Sequence, residues 1–153
     1  MYVEKYLVDG IPLAGEEVSF MLSFGNQHHE GSWWWGMRGD AVLEDVLPEG
    51  MSFGSAYLHK CEEVEWCAFN PNISGQTLTW TMWPIGRNQW NEIKLTVLID
   101  SGVEDGSILT NQASISSSHA QKDADPFPDN NASEFMITVK NEGFFIFLPL
   151  VSR

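Results

Sequence analysis

The loop before the alternating run of residues 135–139 carries oxygen-bearing side chains that could bind a hard cation. It contains Asp123, Asp125, Asp129 and Asn130. Calcium takes about six to eight oxygen ligands, and acidic residues at alternating positions of a tight, proline-rich loop can converge on one ion. The spacing is not that of an EF-hand, because no glycine stands at the sharp turn. The sequence favours an Asx turn in which Asn130 and Asn131 hydrogen-bond the nearby backbone, and it leaves a weak calcium site as the alternative.

Three consecutive tryptophans, Trp33, Trp34 and Trp35, lie in a glycine-punctuated stretch from Gln27 to Gly39. Flat indole rings stack on the apolar faces of sugar rings and bury area at little cost in side-chain entropy. The alternative is that these rings pack over one end of the domain, since three exposed indoles would form an aggregation-prone patch. The sequence favours the packed arrangement and leaves carbohydrate binding as the alternative function.

The chain has two cysteines, Cys61 and Cys67, separated by Glu-Glu-Val-Glu-Trp. A hairpin connection of that length could bring the two strand ends to the Cα separation of about 5.5 Å that a disulfide needs. An even number of cysteines in a chain expected outside the cell favours pairing. The sequence therefore predicts a Cys61–Cys67 disulfide. A rival interpretation adds His59 to make a zinc site, but no fourth ligand stands at a suitable spacing.

The composition argues against several classes of partner. Lys plus Arg is 8 against 21 Asp plus Glu, which gives a net charge of −13. Nucleic acids and anionic membrane surfaces are bound through clustered basic side chains, so neither is an expected partner. No apolar run approaches the roughly 20 residues that span a bilayer. Strand-like sequence starts directly at Met1 without a signal peptide, so we expect a fragment of an extracellular or cell-surface protein.

The sequence lacks the motifs of common catalytic and cofactor sites. It has no nucleophile elbow, no phosphate-binding glycine loop and no zinc-binding His-Glu-x-x-His helix, and its four histidines are scattered. We therefore expect no enzyme activity and no cofactor apart from the weak calcium site. A hydrolase with paired carboxylates is the enzyme class that so many acidic residues leave open.

Apolar and polar residues alternate with a period of two through most of the chain, and no segment sustains a helical period. The clearest runs are residues 18–24, 78–82, 93–99 and 135–139. Clusters of Gly, Pro, Asn and Asp separate them, as expected of turns. Eight or nine short strands, each with one apolar face, cannot bury those faces in one flat sheet, whereas two sheets packed face to face can. The prediction is an all-β, immunoglobulin-like sandwich.

The sandwich is expected to cover residues 1–141. The tryptophan-rich stretch 27–39 is expected to be a loop insertion, and residues 142–153 form either an apolar tail or an extra edge strand. One domain is the natural expectation for a chain of 153 residues.

A series of short phrases makes the chain similar to one family. With these phrases placed on strands, residues 3–140 resemble the conserved-repeat, immunoglobulin-like domain of bacterial cell-surface proteins, called domain of unknown function eleven. No phrase is specific alone, and the resemblance depends on their order and spacing. The phrases are Gly15-Glu-Glu-Val-Ser-Phe20 running to Asn26, Asp45-Val-Leu-Pro-Glu-Gly50, a tryptophan-bearing strand from Gly75 to Met82, Leu109-Thr-Asn-Gln-Ala113, and the Asp-x-x-Pro-x-Asn-Asn-x-Ser pattern of residues 125–133.

The resemblance also raises the question of an internal cross-link. Some surface sandwiches join a first-strand lysine to a late-strand asparagine beside a buried carboxylate, and Lys5, Asn111 and Asp45 occupy such positions by resemblance. A buried lysine is costly unless it is compensated, so the acid must be close and neutral. The sequence favours the alternative, in which Lys5 faces solvent and the Asn111 amide turns toward backbone groups. We therefore expect no isopeptide bond.

The resemblance implies a spacer or an adhesive module without catalytic chemistry. The expected function is that of a non-enzymatic structural or adhesive segment of a bacterial cell-surface or secreted protein. Its partners are then neighbouring repeats or domains of a larger parent chain. The alternative is a carbohydrate-binding module that uses Trp33 to Trp35 to hold surface glycans. The ending Leu148-Pro-Leu-Val151 lacks the Thr-Gly of a sortase signal, so covalent anchoring to the cell wall is not expected.

Overall fold

The computed structural model describes residues 1–26, 40–61, 64–86, 88–117 and 128–141. No helix in these ranges is long and apolar enough to cross a membrane. Ten β-strands and one turn of 3-10 helix, Pro128–Asn130, form the described part of the chain. The strands are β1 (Tyr2–Asp9), β2 (Glu17–Gly25), β3 (Ala41–Val46), β4 (Met51–Cys61), β5 (Val64–Ala68), β6 (Asn72–Ser74), β7 (Thr77–Met82), β8 (Trp90–Ile99), β9 (Ile108–Ser117) and β10 (Ala132–Thr138).

The strands form two sheets of five antiparallel strands each. The order in the first sheet is β1-β2-β8-β4-β5, and the order in the second is β10-β9-β3-β7-β6. This arrangement confirms the predicted all-β sandwich. The structure has ten strands where eight or nine were expected, and the short strand β6 occupies Asn72–Ser74, within a stretch rich in turn-forming residues. All three residues of β6 are exposed, so no apolar alternation marks it in the sequence.

The core lies between the two sheets. It is formed by every second residue of each strand, the residues that face the opposite sheet. On β9, buried and exposed residues alternate along nearly the whole strand. The largest fully buried side chains include Trp80, Phe20 and Phe24. Burying side chains of this kind contributes roughly 1.5–3 kcal/mol each. The Trp80 indole is also satisfied, since its Nε1–H donates a hydrogen bond of 2.7 Å to the carbonyl oxygen of Phe69.

The first and last strands tie the two sheets together along one side of the sandwich. The backbone N–H of Lys5 on β1 donates to Ser133 Oγ on β10, at 3.0 Å. Beyond the end of β1, Lys140 N–H donates to the carbonyl of Pro12 at 2.8 Å, and Ala14 N–H donates to the carbonyl of Lys140 at 3.1 Å. Leu13 and Lys140 form a parallel bridge there. These contacts hold the β1 edge of the first sheet against the β10 edge of the second.

Candidate functional site: a buried lysine, aspartate and asparagine

Three polar side chains occupy inward positions of three different strands. Lys5 lies on β1, Asp45 on β3 and Asn111 on β9, and all three are buried. Alternate residues of a strand point to the same face, so each shares its face with apolar neighbours two positions away, such as Leu43 and Leu109. The strand pattern therefore forces these three polar groups into the hydrophobic core.

Lys5 and Asp45 form an ion pair between Lys5 Nζ and Asp45 Oδ2, with both side chains fully buried. Lys5 as a whole residue is 5 % exposed and Asp45 is 0 % exposed. The Lys5 ammonium also lies over the face of the Phe20 ring, 4.7 Å from its centroid. A ring face attracts a cation, and the effect is stronger where water is excluded. Lys5 is thus held in the core between a carboxylate and an aromatic ring.

The buried Asn111 amide lies close enough to Asp45 to lower the pKa of that carboxyl, but no hydrogen bond of normal geometry joins it to a described residue. Neither its Nδ2 nor its Oδ1 has a partner among the described residues, and the same is true of Asp45 Oδ1. Asp45 lies opposite Ala113 in the β3–β9 ladder, so Asn111 is its diagonal neighbour on the same inward face. A buried polar group without a partner costs about 1–3 kcal/mol and is rare in native proteins. A buried carboxamide without a partner, next to a lysine–aspartate pair, is therefore unusual for a residue with a purely structural role.

Burial shifts the pKa of both charged groups toward the neutral forms. It lowers the pKa of Lys5 from 10.5 to about 8, although the nearby Asp45 carboxylate opposes this shift. Burial likewise raises the pKa of Asp45, against the opposing effects of Lys5 and of the Asn111 amide. Because a low dielectric disfavours both charges, transfer of the proton from Lys5 to Asp45 is easier here than in water. The pair can therefore supply a neutral amine and a protonated acid beside a carboxamide.

These three groups are the components of an amide exchange. A neutral amine is a nucleophile, a carboxamide carbon is its electrophile, and a neighbouring carboxyl group can accept and return the protons that must move. The surrounding core excludes the water that would otherwise solvate the amine or compete with it. The cluster therefore contains the chemical groups that a bond between Lys5 Nζ and Asn111 Cγ requires.

The expectation that Lys5 faces solvent and that Asn111 bonds the backbone is wrong. Lys5 belongs to the inward face of β1 with Val3, while Glu4 and Tyr6 on either side of it are exposed. The alternation of the first strand already places Lys5 on the inward face. The high cost of burying a lysine led us to reject that placement, but the ion pair with Asp45 offsets much of this cost.

The predicted carbohydrate and calcium sites fall mostly outside the described residues. Trp33, Trp34 and Trp35 lie outside them, as do Asp123 and Asp125. Asp129 is exposed and Asn130 is half-buried, and both belong to the 3-10 turn before β10. No group of three or more His, Cys, Asp or Glu side chains in the described ranges is placed to hold a metal. Both sites therefore stay predictions. Two other tryptophans, Trp83 and Trp90, are 59 % and 51 % exposed.

The predicted disulfide lies at the β4–β5 hairpin. Cys67 pairs with Leu58 across the ladder, and Cys61 pairs with Val64, so the two cysteines are not directly opposite one another. The side chain of Cys61 lies outside the described residues, and the described part of the chain has no free thiol. Pairing of Cys61 with Cys67 stays a prediction.

Three further residues surround the cluster and received no role from the sequence. Ser133 contacts the Lys5 backbone, Phe20 lies against its ammonium, and Phe135 packs edge-on against Phe20 with ring centroids 5.8 Å apart. The two phenylalanines follow the ordinary apolar alternation of β2 and β10, so nothing in the sequence separates them from other core residues. Ser133 stood out only as the last residue of the phrase before the final strand.

Comparison with known proteins shows the fold and not the family. No family model and no curated protein matches the sequence significantly. Membership in the repeat family described above therefore remains an expectation.

Solved structures do match. The collagen-binding domain of a Staphylococcus aureus adhesin is 15 % identical, with a TM-score of 0.55 over 92 % of this chain and 98 % of that one. The backbone protein of a group B streptococcus pilus is 15 % identical, with a TM-score of 0.54 over 89 % of this chain and 56 % of that one. AvmM, which catalyses macrocyclisation in alchivemycin A biosynthesis, is 8 % identical, with a TM-score of 0.53 over 95 % of this chain and 93 % of that one. The sandwich is thus shared by adhesin and pilin domains and by an enzyme.

Proposed function

We propose that the protein is a structural or adhesive segment of a bacterial surface protein whose sandwich is locked by an isopeptide bond between Lys5 and Asn111. The observation that carries the proposal is the buried carboxamide of Asn111, which lies beside the Asp45 carboxyl of the Lys5–Asp45 pair and has no hydrogen-bond partner of normal geometry among the described residues. An ordinary structural asparagine in a core has its amide satisfied. The fold shared with an adhesin domain and a pilus backbone protein supports the surface setting.

The reaction follows from the state of the three side chains. Asp45 first takes a proton from the Lys5 ammonium, and the neutral amine attacks Cγ of Asn111. The protonated Asp45 donates a hydrogen bond to the carboxamide oxygen, which stabilises the negative charge that develops there. Transfer of a proton from the attacking nitrogen to the amide nitrogen allows the Cγ–Nδ2 bond to break and ammonia to leave. Asp45 ends protonated, so the core holds an amide and a neutral acid in place of an ion pair.

The topology gives this bond a mechanical role. The chain enters the sandwich at the end where Tyr2 pairs with Gly25. It leaves at the opposite end, where Val139 exchanges backbone hydrogen bonds with Gly106 and Ser107. Tension between the two ends would pull along β1 and β10. A bond from Lys5 to Asn111 would transmit that tension directly between β1 and β9, so residues 6–110 would bear no load. At about 3.3–3.6 Å per residue, this would keep roughly 350 Å of chain from being pulled out.

A segment of this kind fits a chain in which force passes from one domain to the next. The proposed partners are therefore neighbouring domains of a larger parent protein, joined at the two ends of the sandwich. No role in catalysis on an external substrate is proposed, since the described reaction consumes the protein's own Asn111. The surface setting is tested separately, by locating the epitope of an antibody raised against this domain on intact cells of the source bacterium.

The intact mass of the purified protein tests the bond. Formation of one isopeptide bond lowers the mass by one ammonia, and digestion then yields a branched peptide that joins the segments around Lys5 and Asn111. The variant Asn111→Ala must show its full sequence mass, because it has no carboxamide to attack. Asp45→Asn should also keep its full mass, because its amide cannot accept the lysine proton. A wild-type mass equal to the sequence mass would refute the cross-link.

A further inference from the structure

The residues of the proposed reaction belong to different sheets. Lys5 lies on β1 in the first sheet, whereas Asp45 and Asn111 lie on β3 and β9 in the second. Main-chain ladders fix Asp45 relative to Asn111, since β3 and β9 are hydrogen-bonded neighbours. No ladder among the described strands joins β1 to the second sheet. The position of Lys5 relative to the Asn111 carboxamide therefore depends on side-chain contacts between the sheets.

Ser133 makes such a contact at the level of the reacting groups. β1 is the edge strand of its sheet, and the Lys5 N–H donates to Ser133 Oγ on β10 rather than to another strand. Ser133 pairs with Ala113 on β9, and Phe135, two positions further along β10, lies directly opposite Asn111. The backbone of the lysine is thus fixed to a residue whose own place beside Asn111 is set by the β9–β10 ladder.

The same strand supports the lysine from a second direction. Phe135 contacts Phe20 with an interplanar angle of 67°, and the Phe20 ring faces the Lys5 ammonium. The other backbone ties between these two edges, at Pro12, Ala14 and Lys140, lie beyond the end of β1. They hold the sheets together but do not reach the reacting groups.

We propose that Ser133 is a positioning residue of the cross-linking reaction, and that through it the docking of the last strand completes the site. This inference rests on the function proposed above. Misplacement of a reacting group by about 1 Å can cost on the order of 100-fold in rate, so one hydrogen bond that fixes the lysine backbone matters. Because Ser133 follows Lys5, Asp45 and Asn111 in the chain, the three reacting residues are synthesised before it. The bond then forms rapidly only after β10 has docked and the sandwich is complete.

The test measures the rate of ammonia loss in the full-length chain. Protein made in a short pulse of cell-free synthesis is chased, and the fraction with the lower mass is followed by intact mass spectrometry. We expect Ser133→Ala to cross-link about 10- to 100-fold more slowly than wild type. Ser133→Thr keeps the hydroxyl and suits a strand, so it should restore most of the rate. Ser114→Ala removes an exposed serine from the neighbouring strand β9 and should cross-link at the wild-type rate.

Two further measurements separate positioning from a general loss of stability. Ser133 does not titrate, so Ser133→Ala should lower the rate at every pH without changing the shape of the pH–rate profile. The stability cost of Ser133→Ala is measured in the Asn111→Ala background, where no bond can form, and we expect that variant to remain folded. If wild type loses ammonia and Ser133→Ala does so equally fast, the positioning role is refuted while the cross-link stands. If wild type never loses ammonia, both proposals fail.

Discussion

The variant Asn111→Ala offers a quantitative test of the proposed cross-link. It removes the carboxamide that Lys5 would attack, so that Lys5 and Asp45 keep the ion pair that the proposed reaction consumes in wild type. Loss of the amide itself should cost little, because neither of its polar atoms has a hydrogen-bond partner among the described residues. Nearly all of the change in the free energy of unfolding should then come from the missing bond.

The expected loss of stability follows from the number of residues between Lys5 and Asn111. A covalent link from Lys5 to Asn111 closes a loop of roughly 100 residues, which in the chain-entropy treatment of cross-links stabilises the folded state by about 4.7 kcal/mol. For a protein of this size, a loss of 1 kcal/mol lowers the melting temperature by about 2–4 °C. We expect the melting temperature of Asn111→Ala to fall by roughly 10–20 °C.

Circular dichroism melts of wild type and variant, paired with intact masses of the same samples, measure this effect. Gln112→Ala is the matched control, since it removes an exposed side chain that donates to Glu134 and keeps the link. Its free energy of unfolding should stay within about 0.5 kcal/mol of wild type. If the wild-type mass shows the lost ammonia and Asn111→Ala melts within two or so degrees of wild type, the entropic reasoning is wrong.

Four other outcomes are expected. In Asn111→Ala, the buried Lys5 has a pKa lowered to about 8, so the unfolded chain binds the extra proton between about pH 8 and 10.5. The free energy of unfolding of this variant should therefore rise with pH across that window in denaturant titrations, and wild type, whose cross-linked Lys5 cannot titrate, should lack the rise. Thiol titration of unfolded, unreduced protein should find no free thiol, and two free thiols would exclude the Cys61–Cys67 disulfide. Replacement of Trp34 by Ala should lower stability by about 3–5 kcal/mol if the indole is packed in the core, whereas lost retention on a polysaccharide array at unchanged melting temperature would establish glycan binding. Millimolar calcium should raise the melting temperature relative to chelator if the Asp123–Asn130 loop binds the ion, and identical curves would exclude that site.

The sandwich could be predicted from the sequence because its strands bury one face each. The alternation along residues 93–99 and 109–115 identifies both the strands and their inward sides, and the turn clusters separate them. The pairing of β1 with β2 and the placement of β10 beside β9 came only from the structure. The short edge strand β6 could not be recognised, because an edge strand with only exposed residues has no periodic signal.

The candidate site was located by the sequence but its state was not. The resemblance named Asp45 and Asn111 together with Lys5, but the sequence favoured a solvent-facing lysine. A lysine can be buried when a carboxylate lies within ion-pair distance of its ammonium group. The distance between Lys5 and Asp45 is set by how the two sheets pack, so the sequence alone does not give it. The same holds for Ser133, since its contact with the Lys5 backbone crosses from one sheet to the other and corresponds to no spacing along the chain.

With the proposed bond in place, the positions of Lys5 on the first strand and of Asn111 on the ninth would also determine what proteolysis can do. A protease that cuts once anywhere between residues 6 and 110 would divide the backbone but leave both pieces attached through the two side chains. The nicked molecule would migrate on a denaturing gel as a single branched species, and neither piece could diffuse away. A single cut would release a fragment only before Lys5 or after Asn111. On the cell surface proposed above, the domain would therefore survive a single cut between those two residues without losing either half.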